Sequence, residues 1–370
     1  MQSGVIRETA DGEHRVALLP DTAGRMVKGG LSVTVERGAG TMAGATDAAY
    51  EAAGATLAAE AADVLGGSDV VLKVQRPTPD EAALIREGSV LVSFLQPSSA
   101  GDLLSALAAR KITTFAMELV PRTTRAQSMD ALSSQATVAG YKAVLLGASR
   151  LGKLLPMLTT AAGTLPPARA FILGAGVAGL QAIATARRLG AVVSAFDVRP
   201  VVKEQVESLG AKFVESDVTA VGEGGYAKEL GADDQARARA LIHETIKAMD
   251  LVITTAQIPG RPAPELITGE MVRDMVPGAV IVDLAAESGG NCALTEPGAT
   301  VTKHGVHIVG AVNIPATVPF HASQMYGRNL QTFVDYIVKE GNLAIDLDDP
   351  IMGPMCLTHG GSVRSERMAG

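Results

Sequence analysis

The stretch that decides the fold is Phe171-Ile-Leu-Gly-Ala-Gly-Val-Ala-Gly-Leu180. Gly174, Gly176 and Gly179 form a G-x-G-x-x-G pattern. Alone, that match is weak. Here an apolar run, Ala168 to Leu173, leads directly into it, and a helical pattern, Val177 to Leu189, leads directly out. A second apolar run, Ala191 to Phe196, follows and ends on Asp197. Strand, glycine turn, helix, strand and acidic residue in that order make a βαβ dinucleotide-binding unit. Each glycine has its own reason. Gly174 permits the tight turn, Gly176 lets the backbone approach a pyrophosphate, and Gly179 allows close packing of helix on strand. The phosphates then face N–H groups at a helix N-terminus, among them those of Val177 and Ala178. Asp197 suits a ribose diol and repels a 2′-phosphate, so NAD(H) is expected over NADP(H). Val198 and Arg199 adjoin it, and the charge of Arg199 blurs that preference.

Working outward, strand and helix patterns alternate on both sides of this unit. Downstream strands are expected at Leu251 to Thr255, Ala279 to Leu284 and His307 to Gly310. Gln257 follows the first of these, where a ligand of such a fold lies, and is expected to contact the cofactor. Upstream, strands are expected at Leu31 to Val35, Asp69 to Val74, Ser89 to Leu95 and Thr113 to Leu119, with helices at Asp47 to Ala53 and Leu103 to Ala109. A long helical pattern, Ser128 to Leu151, reads as a connector, broken by Gly163 to Pro167. A last helix near Tyr326 to Lys339, apolar at Leu330, Phe333, Val334, Ile337 and Val338, is expected to return to the first domain. The fold class is α/β, with two Rossmann-like doubly wound domains of mostly parallel sheet joined by long helices. The expected division is 1–133 plus 312–370 for the first domain and 134–311 for the second. Thr219 to Gly231, with Gly222, Gly224 and Gly225, has no periodicity and reads as a mobile loop.

Composition narrows the function classes. Of 370 residues, 47% are hydrophobic and 19% charged, which is globular and not disordered. A net charge of -7, 3% aromatic content and no Trp argue against nucleic acid as a partner. The cysteines Cys292 and Cys356 are too few for a disulfide framework. Met1 to Leu19 carries Arg7, Glu8, Asp11, Glu13 and Arg15, and lacks the apolar core of a signal peptide. The uncharged run from Ala170 to Ala186 falls short of the roughly 20 residues a membrane span needs. The chain therefore reads as soluble and cytoplasmic, with no direct membrane insertion. His304 and His307 have no companion carboxylates in metal-binding spacing, and no metal is expected.

Four stretches resemble the family of alanine dehydrogenase and the nicotinamide nucleotide transhydrogenase alpha subunit. They are Glu13-His-Arg-Val-Ala-Leu-Leu-Pro20, Pro121 to Gln135, Gly174 to Pro200, and Ile281 to Cys292. Arg-Ala-Gln-Ser-Met-Asp, at 125–130, resembles the transhydrogenase branch in particular. That resemblance implies a subunit that binds NAD(H), forms a homodimer and docks against an NADP(H)-binding subunit. A membrane-spanning subunit then couples hydride transfer to proton movement, which puts this chain in the cytoplasm, peripheral to the membrane. It further implies that Arg122, Gln127 and Asp130, with Ser133 following, lie beside the nicotinamide, and that Tyr226 closes over the nucleotide. The chain reaches Gly370 without an apolar span, so the resemblance is to the version in which this region is a separate polypeptide.

The rival within the family is alanine dehydrogenase. Its pattern has an Arg and a Lys that grip the substrate, matched by Arg15 and Lys73. It also has a catalytic His and Asp, where this chain has Gln96 and Glu287. Amine oxidation needs proton traffic, and a Gln does not titrate near neutral pH. Hydride exchange between two nicotinamides needs alignment, close approach and exclusion of water instead. Structural readings compete at several positions. Arg15 and Lys73 could hold the first domain together through carboxylate pairs, and Arg122 could be a surface cation. Asp130 could cap the long helix. A non-catalytic NAD-sensing module is the remaining alternative; the Arg122, Gln127 and Asp130 set argues against it.

Overall fold

The computed structural model describes residues 1–216, 218, 231–258 and 261–364. The chain divides into two compact units, Met1–Gln135 with Pro315–Gly370, and Ala136–Ile314. Each is an α/β layer structure around one main sheet.

In the first unit six parallel strands, Gln2–Val5, Ser32–Glu36, Thr56–Ala58, Val70–Leu72, Val90–Ser93 and Thr113–Ala116, lie in the order third, second, first, fourth, fifth, sixth. An antiparallel hairpin, Cys356–His359 with Ser362–Val363, extends the sheet beyond the sixth strand. Both faces are covered, so Val70–Leu72 and Val90–Ser93 are buried at every position and read as continuous apolar runs. Val70, Leu72, Val90, Val92 and Phe115 point into one core, and Val71, Leu91 and Ala116 into the other. Helix Pro319–Ile337 buries Tyr326, Leu330, Phe333, Val334 and Ile337 in the first of these cores. It starts seven residues before the expected Tyr326, because Pro319 serves as an N-terminal helical residue.

Gln2–Val5 is a strand that the pattern does not reveal, yet it is the first strand of the order and lies inside the sheet. Its Gln-Ser-Gly-Val sequence has almost no apolar signal. The reason is crowding: a Cβ on Gly4 would overlap Ser68 Oγ and lie 2.8 Å from Val64 Cγ1. Thr56–Ala58 and the C-terminal hairpin are likewise beyond the expected strands, being short and only partly apolar.

In the second unit the strands Arg169–Leu173, Val192–Phe196, Lys212–Phe213, Leu251–Thr254, Val280–Asp283 and Val306–Gly310 are parallel. Arg169–Leu173 lies between Val192–Phe196 and Leu251–Thr254, and Thr300–Lys303 closes one edge antiparallel to its neighbour. Ala170, Ile172, Ile253 and Val282 face one core while Phe171, Leu173, Val252 and Ile281 face the other. The long helix is Ala131–Arg150. Within this unit it packs tightly on the glycine turn's helix, since a Cβ on Gly140 would overlap the Ala178 carbonyl. The segment expected only to break that helix forms a hairpin, Leu158–Thr160 with Gly163–Leu165. Gly163 at φ 120 takes its turn, which a breaker reading does not reveal. Among the described residues no helix is long and apolar enough to cross a membrane.

Candidate functional site

In a doubly wound sheet the crevice opens at the carboxyl ends of the first and fourth strands, where the crossovers change direction. In the second unit that crevice lies between Leu173 and Thr254. Gly174 has φ 94, a left-handed backbone that glycine adopts without strain. A Cβ there would stand 2.6 Å from Thr255 Oγ1, which itself donates to the Gly174 carbonyl at 3.1 Å. A Cβ on Gly179 would overlap that same carbonyl. Gly179 thus seats the helix on the turn itself, not on the strand behind it. Gly176 precedes helix Val177–Arg188 and carries no side chain to cap it. Among the described residues a Cβ on Gly176 would meet only Arg199 Nη2, 3.9 Å away. Among the described residues the space beside Gly176 is thus open on its Cβ side apart from Arg199, and the helix N-terminus at Val177 adjoins it. That is the cradle a pyrophosphate requires, and these residues fit a dinucleotide.

Asp197 follows strand Val192–Phe196 and is buried. Its Oδ2 accepts from Ala175 N at 2.7 Å, tying it to the glycine turn. Arg199 takes the rest of the carboxylate. Its backbone N and Nε donate to Oδ1 at 2.8 and 2.9 Å, and its Nη2 donates to Oδ2 at 2.7 Å. Hydrogen bonding to Asp197, beyond what burial takes away, holds the Arg199 guanidinium above its usual pKa. Val198 between them is partly buried against the second core.

The fourth strand ends at Thr254, and the chain continues through Thr255 and Ala256 to Gln257. Gln257 is exposed, and its Nε2 donates to the Leu284 carbonyl at 3.0 Å. Two residues to which the sequence pattern gives no role hold this segment. Asn291 accepts from Ala256 N at 3.0 Å and donates to the Ala256 and Pro264 carbonyls at 2.9 and 2.8 Å. Asp283, wholly buried, accepts from Asn291 N, Cys292 N, Ala285 N, Thr254 Oγ1 and Thr295 Oγ1. The signal that could find it is an Asp at a strand's carboxyl end, within the Ile281 to Cys292 stretch. Segment 219–230, and Tyr226 with it, lies outside the described residues.

In the first unit Arg122 and Gln127 are exposed. Thr124–Met129 is a 3-10 turn with Ala126 and Met129 buried in the core, so the long helix begins at Ala131 and not at the expected Ser128. Asn329 Nδ2 anchors the turn through the Ser128 carbonyl at 2.8 Å. Asp130 stands just before helix Ala131–Arg150, where its Oδ1 accepts from Ser133 N at 2.9 Å and its Oδ2 from Ser133 Oγ at 2.6 Å. That is helix N-cap geometry, and it joins Asp130 to Ser133.

The crevice of the first unit is filled. Lys73, 1% exposed, lies 3.3 Å from both Glu8 and Glu81. Arg15 forms a 2.6 Å ion pair with Glu13 and donates to Gln135 Oε1 at 2.8 Å. Gln75 donates to Glu13 at 2.8 Å. The carboxylate-pairing reading of Arg15 and Lys73 thus describes their contacts. Burial pushes the Glu8 carboxyl up despite Lys73. Burial acts the same way on Glu13, but hydrogen bonds and charge from Arg15 outweigh it and hold that carboxyl at about 2. Gln96 has φ 52, and its N–H and that of Leu95 donate to Glu118 Oε1 at 2.5 and 2.8 Å. Burial raises the Glu118 pKa, and no sequence motif points to that residue. Glu287 is exposed in a 3-10 turn of the second unit. Among the described residues no three His, Cys, Asp or Glu side chains gather where they could hold a metal ion.

Two family models match this chain. The N-terminal domain of alanine dehydrogenase/PNT covers residues 4–139, and the C-terminal domain covers residues 143–366. The chain belongs to the alanine dehydrogenase/PNT family. It is 50% identical to an NAD(P) transhydrogenase subunit alpha polypeptide of Rhodospirillum rubrum, over 100% of this chain and 99% of that one. It is 30% identical to alanine dehydrogenase of Mycobacterium tuberculosis, over 100% of this chain and 96% of that one. The crystal structure of transhydrogenase from Sinorhizobium meliloti superposes with a TM-score of 0.90 at 47% identity, over 98% of this chain and 100% of that chain. These identities place the chain with the transhydrogenase alpha subunits within its family. The α/β fold of mostly parallel sheets is that of the family.

Proposed function

We propose that this chain is the NAD(H)-binding subunit of a proton-translocating transhydrogenase. It takes part in direct hydride transfer between NADH and NADP+ bound on a partner domain, and a membrane-spanning partner couples that transfer to proton movement. In this reading the chain is a homodimer, peripheral to the cytoplasmic membrane through its partners. The nucleotide domain is 134–311, and 1–133 with 312–370 is its companion.

Bound NADH supplies the hydride. Gly174, Gly176 and Gly179, with the N–H groups of Val177 and Ala178, hold its pyrophosphate. Asp197, flanked by Val198 and Arg199, takes the adenosine ribose, and Gln257 contacts the cofactor. Gln127 orients the nicotinamide amide, being donor and acceptor at once. Arg122, Asp130 and Ser133 hold its segment in register, which the Asp130–Ser133 bonds support. Tyr226 closes over the nucleotide.

The observation that carries this reading over its rival is residue 96. A Gln there cannot exchange a proton near neutral pH, and amine oxidation needs a group that can. Glu118 lies behind it, with Oε1 accepting from two backbone N–H groups and Oε2 shut away from solvent, so it is not placed to trade protons with water. The test mixes the purified chain with an NADP-binding domain and follows hydride transfer from NADH to an NADP analogue. A parallel assay follows NAD reduction with alanine. Transfer without alanine oxidation is expected. Robust alanine-dependent NADH formation by homogeneous chain, without transfer, would overturn the assignment.

A further inference from the structure

The seat expected for the ribose diol is already taken. An ionised carboxylate offers roughly four acceptor positions. Asp197 receives four hydrogen bonds, from Ala175 N, Arg199 N, Arg199 Nε and Arg199 Nη2. The first two are backbone groups fixed by the glycine turn and by the chain two residues on. The guanidinium bonds are the only ones among these four that a rotamer change can release. A diol that binds Asp197 must therefore displace part of the Arg199 side chain.

The position of Arg199 gives the displaced group a destination. Its Nη2 is what a Cβ on Gly176 would meet, at 3.9 Å. The guanidinium thus lies along the open side of the turn, where a pyrophosphate passes on its way to the helix N-terminus. A small movement exchanges one anionic partner for another. Arg rather than Lys suits the task, because its planar fork bonds both oxygens of the carboxylate at once. Its side chain is 17% exposed and that of Asp197 5%, so the pair is only weakly screened.

From this arrangement we infer that Arg199 is a specificity-determining residue: it masks Asp197 before the nucleotide arrives and sets how sharply the site rejects a 2′-phosphate. The inference rests on the NAD(H)-binding reading above. With Arg199 in place the pair is neutral as a whole, and a 2′-phosphate meets a cation as well as an anion. Without Arg199, the same phosphate meets an uncompensated, buried carboxylate. Without the Asp197 charge, the guanidinium loses its carboxylate partner and turns more readily to the phosphate. The two residues thus push selectivity in opposite directions. NADH itself loses a masking competitor and a phosphate partner together when Arg199 is removed, so its affinity changes less than that of NADPH.

The experiment measures equilibrium binding of NADH and NADPH to the whole chain, unmutated and as Arg199→Ala, Arg199→Lys and Asp197→Asn. The ratio of the two affinities is the readout, because a merely structural partner would weaken both nucleotides alike. Arg199→Ala should widen the preference for NADH by roughly tenfold or more, the worth of about one charge-assisted hydrogen bond. Arg199→Lys keeps the charge and loses the fork, so it should widen it less. Asp197→Asn should narrow the preference by a similar factor. Should Arg199→Ala prove unstable to heat, Arg199→Gln carries the same expectation. A ratio unchanged within about twofold in the Ala or Gln variant, with an unmutated chain that prefers NADH, would overturn the masking role. An unmutated chain that binds both nucleotides equally, or neither, would instead overturn the NAD(H) reading beneath it.

Discussion

The two units use one strand order and treat its crevice in opposite ways. In the second unit the first strand ends at Leu173, and a helix begins at Val177 after a three-residue glycine turn. In the first unit the corresponding strand ends at Val5, and its helix begins only at Pro20. The intervening segment folds into the crevice and brings Glu8, Glu13 and Arg15 against Lys73, Gln75 and Gln135. The topology supplies a crevice twice. The residues just beyond the first strand decide whether it presents backbone N–H groups to an anion or is closed by the protein's own ion pairs. On this comparison, residues at the first unit's crevice govern stability, and those at the second govern nucleotide affinity.

The largest effect expected is from Lys73→Ala. It leaves Glu8 and Glu81 buried without their cation, which costs on the order of 3–5 kcal/mol. Urea unfolding followed by circular dichroism should show that loss, while NADH affinity of the folded fraction stays as it was. Lost nucleotide binding with unfolding unchanged would break the comparison.

Acid should act through the same crevice. The Glu13 carboxyl sits at about 2 in the folded chain against an ordinary value of 4.5. A depressed carboxylate contributes stability that is present above the unfolded value and lost as pH falls from there toward the folded one. The contribution is roughly 3 kcal/mol at neutral pH, lost between about pH 4.5 and 2. Glu8 has the opposite sign: raised by burial, it favours the folded state at low pH and loses that contribution as pH rises through its folded value. Thermal melts of Glu13→Gln across that acid window should show a flatter pH dependence than the unmutated chain. An unaltered slope would assign acid sensitivity elsewhere.

A pair of glycine substitutions sharpens the contrast. Gly179→Ala forces a Cβ into the Gly174 carbonyl, and should cost about 1–3 kcal/mol of stability together with most NADH affinity. Gly12→Ala, in the first unit, meets no atom within 4 Å but sits at φ 68. It should cost about 1 kcal/mol and leave nucleotide binding alone. Calorimetry with and without NADH distinguishes the two patterns.

A modest effect is expected from Gln127→Asn, where the proposed chemistry draws on a residue of the first unit. Shortening the side chain by one methylene should slow hydride transfer by roughly tenfold, because small misplacements of a positioning group are costly. NADH affinity should change little. A full transfer rate would remove Gln127 from the mechanism, and a parallel loss of binding and rate would make it a binding residue.

Much of the nucleotide unit is legible in the sequence because it is local. The turn at Gly174 needs a positive φ, and only the glycine pattern between an apolar run and a helical one encodes that need. The buried parallel strands Leu251–Thr254 and Val280–Asp283 announce themselves as unbroken apolar runs. Other features leave no local trace. Gln2–Val5 is a strand because it pairs with Ser32–Glu36 and Val70–Leu72, which leave no room for a side chain at Gly4, and composition does not record a neighbour. Asp283 and Asn291 read as ordinary polar residues until the fold brings Ala256 to Asn291 across 35 positions. The 3-10 turn Thr124–Met129 leaves no local trace either, because Ala126 and Met129 are buried in a core that includes helix Pro319–Ile337 from the far end of the chain.

By itself, then, the sequence determined the α/β class, the glycine turn and the acidic residue at the next strand's end, since these follow from backbone sterics, side-chain period and fixed spacing. Only the tertiary structure decided what the charged residues do. Arg15 and Lys73 meet carboxylates of their own chain, Glu13 for the first and Glu8 and Glu81 for the second. Asp197 and Arg199 are two residues apart, yet their sharing of one carboxylate depends on the turn that delivers Ala175 N to it and on the burial around the pair. A charge's partner is set by which opposite charge lies within a few ångströms in a medium that screens poorly, and folding brings that neighbour from anywhere in the chain.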